Sequence, residues 1–224
     1  MNGKVRHSLR LTAMLYLLDY GAGNIQSLAN SLTKLGYTYE WVREPSDISK
    51  ADKLLFPGVG SFASAMDALH AKGYVEPLRA YIQSGKPLMG ICVGMQVLFE
   101  GSDESPGVPG LGIVPARVGR FATQDALGRK AVPHMGWSLA NVVEWDGCAD
   151  QRHELAKSYG MHDANPSHYY FVHSYRVAWD ANVAEWALTT TQYGNEIFVS
   201  SIQHANVFAL SLIHISEPTR RTPI

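Results

Sequence analysis

The sequence predicts a three-layer α/β protein with a mostly parallel sheet and an antiparallel extension. Over roughly the first half, short apolar runs alternate with stretches of helical periodicity, the rhythm of strand–helix–strand units covered on both faces. Glycine-rich turns follow several of these runs, as they do where parallel strands end at a ligand crevice. Beyond Gly110 the helical periodicity stops and short β-like runs take over.

The elements follow in order. Residues 15–18 are an apolar strand running into Asp19-Tyr20-Gly21-Ala22-Gly23-Asn24. A helix comes next, with Ile25, Leu28, Leu32 and Leu35 at helical spacing and Asn24 as its N-cap. Residues 37–42 are a second strand, and 53–56 a third that enters the turn Pro57-Gly58-Val59-Gly60. Helices are expected around 62–70 and 75–82. The apolar run 87–91 is a fourth, buried strand, and 94–100 is good helix material. The later β-like runs are 113–121, 169–175, 186–191, 197–202 and 207–210, while the polar stretch 151–167 reads as a loop or insertion. No repeat or linker divides the chain, so a single domain is expected over 14–209, with 1–13 an N-terminal extension that is basic and free of acids.

Gly90-Ile91-Cys92-Val93-Gly94 joins the fourth strand to the helix expected after it. This is the pattern of a nucleophile elbow, in which glycines on both sides permit a strained turn and close approach of a substrate. A thiol held over a helix N-terminus is expected to have a lowered pKa. The bare pattern equally describes a buried structural cysteine. The turn at Pro57–Gly60 ends the neighbouring strand, and its N–H groups, together with that of Val93, are placed to face negative charge developing beside Cys92.

Composition narrows the function. With a net charge of −1 there is no basic footprint for nucleic acid or a membrane surface. No apolar run approaches the about 18 residues that a spanning helix needs. Two cysteines, Cys92 and Cys148, make no disulfide framework and point to a reducing compartment such as the cytoplasm, with a targeting role for the basic N-terminus left open. Cys148, in Trp145-Asp146-Gly147-Cys148-Ala149, has no nucleophile context. His162, His168 and His173 are spaced too irregularly for a metal site, and no cofactor is expected. Gly21-Ala22-Gly23 starts like a dinucleotide fingerprint, but Gln26 stands where the third glycine belongs.

Taken together, Gly90-Ile91-Cys92-Val93-Gly94-Met95-Gln96 and the Pro57–Gly60 turn resemble the class I glutamine amidotransferases. Asp19–Asn24, Pro133-His134-Met135-Gly136-Trp137 and Tyr170-Phe171-Val172-His173-Ser174-Tyr175 resemble, within that class, the glutaminases of imidazole glycerol phosphate synthases in histidine biosynthesis. The resemblance runs from about Met14 to Ala209, with the motifs in the family's order. It implies a flavodoxin-like sheet and a reaction in which Cys92 attacks L-glutamine and releases ammonia to a (β/α)8 cyclase, on a separate subunit or fused to the same chain. It further implies oxyanion donors at Val59 and Val93, substrate contacts at Gly58, Gly60, Gln96, Ser174 and Tyr175, and a partner-facing surface at Asn24, Pro133, His134 and Trp137.

The chain departs from the family in one respect. The family's base and its orienting carboxylate come from Gln-Phe-His-Pro-Glu after the last β-run. Here Leu210-Ser211-Leu212-Ile213-His214-Ile215-Ser216-Glu217 stands instead. His214 and Glu217 are three apart and face opposite ways in an extended segment, so they do not replace a His-x-Glu pair. His204 reads as a solvated turn residue. Residues 210–220 resemble a translated sequencing adapter, so 210–224 are expected to be a non-native tail, and re-sequencing the transcript is expected to restore the family segment. Two other readings stay open: a stand-alone Cys-dependent amide or ester hydrolase, and an inactive scaffold that binds without turnover.

Overall fold

The computed structural model describes residues 13–21, 25–126, 128–143 and 168–211. The first half contains β1 (Leu15–Leu18), α1 (Ile25–Lys34), β2 (Tyr39–Val42), α2 (Pro45–Lys50), β3 (Lys53–Gly58), α3 (Phe62–Ala71), α4 (Val75–Gln83), β4 (Leu88–Cys92) and α5 (Val93–Gln96). There follow β5 (Phe99–Ser102), β6 (Val114–Arg120), the short β7 (Gln124–Asp125) and β8 (Gly128–Arg129), β9 (His134–Leu139) and β10 (Asn141–Val142). The last strands are β11 (His168–His173), β12 (Tyr175–Ala178), β13 (Ala187–Tyr193), β14 (Glu196–His204) and β15 (Val207–Leu210).

The main sheet runs β2-β1-β3-β4-β15-β14-β12-β6-β5, with β13 on the other edge of β14 and β10 beyond it. Its first five strands are parallel. β14, β12 and β6 then alternate in direction, which is the expected antiparallel extension. Alternation along the parallel strands divides the core into two layers. Leu17 and Leu55 face α1, where Ile25, Leu28 and Leu32 pack on them. Leu18, Leu54 and Phe56 face the opposite layer with Ile48, Met66 and Leu78 from α2, α3 and α4. A separate ribbon of β9 and β11 covers the antiparallel end.

Local expectations fail at three places. Leu35 is not on the packed face of α1: the helix ends at Lys34, and Tyr37 N–H closes onto the Leu32 carbonyl, leaving Leu35 exposed. α2 has one buried residue, Ile48, and so no periodicity to read; it starts where the Asp47 carboxylate accepts the N–H groups of Arg43 and Glu44. The stretch 94–100 is not one helix. The carbonyls of Val97, Leu98, Phe99 and Glu100 accept N–H groups from Leu111, Ile113, Gly112 and Gly110, so tertiary pairing overrides helix propensity after a single turn. Leu210 closes the expected run 207–210 as the end of the last strand, paired with Ile91 and Ser201. Residues 144–167, with Cys148, His162 and the expected loop, and 212–224 lie outside the described residues, as does residue 24 with the proposed N-cap.

Candidate active site

Cys92 ends β4 with φ 57 and ψ −116, in a region that side chains other than glycine rarely occupy. The strain has a visible cause. Gly94 passes so close to the Phe56 carbonyl of β3 that a Cβ on it would collide with the oxygen. The chain must therefore turn sharply out of β4 and into α5. A backbone hydrogen bond from the Val93 N–H opposes the rise in the thiol's pKa.

Burial nonetheless pushes the Cys92 thiol up to about 11, and the Glu104 carboxylate adds to the rise. The expected lowering by a helix N-terminus does not occur. α5 has four residues, too few for a strong macrodipole, and the thiol is nearly sealed from water.

Gly58 stands opposite Cys92 in the register of β3 and β4, which brings the Pro57–Gly60 turn beside the sulfur. Past that turn, Ser61 caps α3 by accepting the Ser64 N–H, and the Phe62 N–H donates to Glu104 Oε2 at 2.8 Å. Glu104, on the loop after β5, was not singled out from sequence, because an acid among Gly101-Ser102-Asp103-Glu104-Ser105 carries no spacing signal. Its carboxylate accepts the Phe62 N–H at the start of α3 and lies near enough to raise the Cys92 thiol. Val59 is exposed. Gln96 is half-buried at the end of α5, one helical turn from the cysteine. Tyr175 starts β12, just after Ser174, and β12 pairs with β14 at Val199 and Phe198, on the same edge that β15 occupies from Ser201 to His204.

His134 contradicts its sequence assignment. It is 2% exposed and so does not face a partner. Side chains alternate along β9: Met135, Trp137 and Leu139 point outward, and His134 points in. Its ring stacks on Tyr193 at 4.1 Å and on Phe171 at 5.5 Å, with His173, Phe121 and Phe198 edge-on around it. Burial lowers both His134 and His173 to about 4. Pro133 and Trp137 are exposed, consistent with a docking surface.

No histidine of the described residues acts on the Cys92 thiol; the Val93 N–H and Glu104 do. His204 pairs with Val207 at the end of β15 remote from Cys92, and its ring packs 4.5 Å from Trp186. The chain beyond β15 emerges next to the elbow, since Leu210 pairs with Ile91, the residue before the cysteine. Among the described residues, no three His, Cys, Asp or Glu side chains gather as a metal site, and no helix is long and apolar enough to cross a membrane.

The profile of the family described as Glutamine amidotransferase class-I matches residues 16–210. This chain belongs to the class I glutamine amidotransferases. Among relatives of this amidotransferase, the imidazole glycerol phosphate synthase hisHF of Emericella nidulans is 44% identical over 198 residues, covering 87% of the chain and 34% of the relative. The chloroplastic hisHF protein of Arabidopsis thaliana is 43% identical over 206 residues, covering 92% of the chain and 32% of the relative. The chain thus spans about a third of the hisHF proteins it matches. The subunit HisH of Synechococcus sp. is 37% identical over 200 residues, covering 87% of the chain and 83% of that protein. A crystal structure described as a glutamine amidotransferase superposes with a TM-score of 0.61 at 18% identity, with 89% of each chain covered. The glutaminase domain of Trypanosoma brucei CTPS gives 0.54 at 12% identity, covering 90% of this chain and 86% of that one. These likenesses fix the fold as the flavodoxin-like amidotransferase sheet.

Proposed function

We propose that this amidotransferase domain is the glutaminase of an imidazole glycerol phosphate synthase, hydrolysing L-glutamine and passing the ammonia to a cyclase. The observation that carries the reading is the strained Cys92 elbow held beside the glycine turn at Gly58. In the reaction the Cys92 thiolate bonds to the glutamine amide carbon and the carbonyl π pair moves onto oxygen. The intermediate collapses as the C–N bond breaks and nitrogen leaves, with a proton, as ammonia; water then cleaves the thioester to glutamate. Val93 and Val59 are the proposed N–H donors for the oxyanion. Gly58, Gly60, Gln96, Ser174 and Tyr175 are proposed to receive the amino-acid end, and Glu104 to hold its ammonium group.

The names of the relatives support a cyclase, separate or fused, as partner. Pro133 and Trp137, with Met135 beside them, are the proposed docking residues, and Asn24 keeps the same proposed role. The domain is proposed to span 14–209 plus Leu210. It is assigned to the cytoplasm or to an organelle, the latter supported by a relative named as chloroplastic.

With no His-Pro-Glu in the sequence, the chain as it stands holds its nucleophile without the family's base. Ammonia release from glutamine, measured with and without a cyclase and its ligand, tests the reading. Stimulated release is expected once Gln-Phe-His-Pro-Glu follows Leu210, and is expected to vanish on Cys92→Ala. Release unaffected by that substitution would overturn the assignment.

A further inference from the structure

The chain bends at Ser174, the single residue between β11 and β12. The sheet register places this corner at the candidate site. β15 and β12 share one edge of β14: Leu210 stands opposite Ser201, and Val177 opposite Val199. The two strands part between those rungs, and because Leu210 also pairs with Ile91, the fork opens beside the elbow. On the other side of β12, Arg176 stands opposite Gly119 of β6. The neighbouring Val118 carbonyl accepts the N–H of Asp103, the residue before Glu104. The Ser174–Tyr175 corner is thus bounded by the end of β15 on one side and the Glu104 loop on the other.

The same register shows what the corner lacks. One rung before the Tyr175–Arg120 pair, Phe121 donates its N–H to the Ser174 carbonyl at 3.0 Å. Antiparallel rungs alternate between pairs that exchange hydrogen bonds and pairs that do not, so the Tyr175 carbonyl turns away from β6. β14 does not meet it either, since its first rung with β12 is at Val177. The His173 ring supplies the partner: its Nδ1 stands 2.8 Å from the Tyr175 oxygen. A carbonyl only accepts, so the buried, neutral ring carries its proton on Nδ1 and keeps a lone pair on Nε2. That lone pair is buried without a partner, in a ring packed against Phe121, His134, Phe171 and Phe198. Phenylalanine would pack in this hole and leave no nitrogen unpaired. What histidine adds is the bond to Tyr175.

We propose that His173 is a positioning residue for glutamine binding: through its Nδ1 bond to the Tyr175 carbonyl it fixes the bend at Ser174 and so sets where Ser174 and Tyr175 meet the amino-acid end of the substrate. This role presupposes the glutaminase reading above. His173 lies inside the aromatic cluster and acts only through the corner. The amino-acid end is held alike before and during the reaction, so losing this bond weakens binding and leaves the chemical step at sulfur unchanged.

The test uses the full chain and a glutamine-derived chloromethyl ketone, whose methylene carbon bonds to the Cys92 sulfur as chloride leaves. Modification of the Cys92 peptide, followed by mass at rising reagent concentration, gives the half-saturating concentration and the limiting rate separately. In His173→Phe the half-saturating concentration is expected to rise about tenfold or more. The limiting rate is expected to be retained, as is alkylation by iodoacetamide, which has no amino-acid end. In His173→Asn, whose Nδ2 stands where Nδ1 stood, saturation is expected to return to that of the unaltered chain. Asparagine is smaller and hollows the cluster, so it is expected to lower the Tm further than phenylalanine does. Binding and stability thus rank the two variants in opposite order. Affinity that follows the Tm instead, or saturation of His173→Phe like that of the unaltered chain, marks the ring as packing alone and overturns the proposal. One arm needs no variant to fold: imidazole nitrogen spectra of the unaltered chain are expected to show the His173 proton on Nδ1, and a proton on Nε2 overturns the proposal. If the unaltered chain takes up the chloroketone without saturation, or no faster than Cys92→Ala, the glutaminase reading itself fails and takes the proposal with it.

Discussion

Cys92 and Gly58 lie directly opposite one another on the last rung between β4 and β3. The nucleophile elbow and the glycine turn are therefore one unit, braced by the close pass of Gly94 over the Phe56 carbonyl. Gly94→Ala is expected to break that brace. The added methyl has only backbone to displace, so a loss of about 3 kcal/mol is expected, read as a lowered urea midpoint at unchanged slope.

Turnover should depend on the segment after Leu210. The present chain is expected to release ammonia from glutamine at background. Placing Gln-Phe-His-Pro-Glu after Leu210 should raise the rate by about three orders of magnitude, the usual scale for a triad member. A coupled glutamate assay with the cyclase present reads the difference. Robust turnover by the unaltered chain would show that another residue serves as base.

The thiol should titrate late. With Cys92 raised from 9.0 to about 11, mainly by burial, alkylation by iodoacetamide should climb through that range instead of levelling near pH 9. Because the folded pKa lies above the unfolded one, the unfolded chain loses its proton first. Stability from this group is full below pH 9 and is lost as pH rises toward about 11. Cys92→Ala should flatten that part of the Tm–pH curve.

Acid should act at the other end of the sheet. His134 and His173 are lowered from 6.5 to about 4, chiefly by burial. Their contribution to stability is full above pH 6.5 and is lost as pH falls toward 4, because the unfolded chain binds the protons first. The groups facing the pair sharpen the effect: Lys130 and Arg176 are cations, Glu196 is held by both of them, and Tyr193 stacks on His134. His134→Phe should reduce the drop in Tm between pH 7 and 4, measured by calorimetry.

Partner binding should separate the two faces of β9. Trp137→Ala and Met135→Ala remove exposed side chains, so the Tm should move little while affinity for the cyclase falls about tenfold or more. His134→Phe, on the inner face, should leave that affinity within about twofold. Titration calorimetry distinguishes them, and equal losses from both faces would remove the docking assignment.

Much of this was legible in the sequence for a physical reason. The parallel strands are buried on both faces, so they read as apolar runs, and amphipathic α1, α3 and α4 declare themselves by spacing. The elbow was legible because strain demands glycine at fixed offsets around Cys92. What stayed hidden was set by the fold and not by local pattern. The helix expected after Gly94 is cut short by N–H groups from Gly110 to Ile113, and α2 offers only Ile48 to the core. The raised Cys92 pKa and the nearness of Glu104 depend on which chain segments close over the elbow, and no spacing rule encodes that. His134 was misassigned because a motif places a residue on a strand without saying which way its side chain turns.

The alternation along β9 has a consequence for how this strand tolerates change. Substitutions at its outer positions meet only solvent or a partner, whereas a single inserted residue between Met135 and Trp137 would exchange the two faces, driving Trp137 into the aromatic interior or His134 out of it. The strand is forgiving of chemistry and intolerant of length.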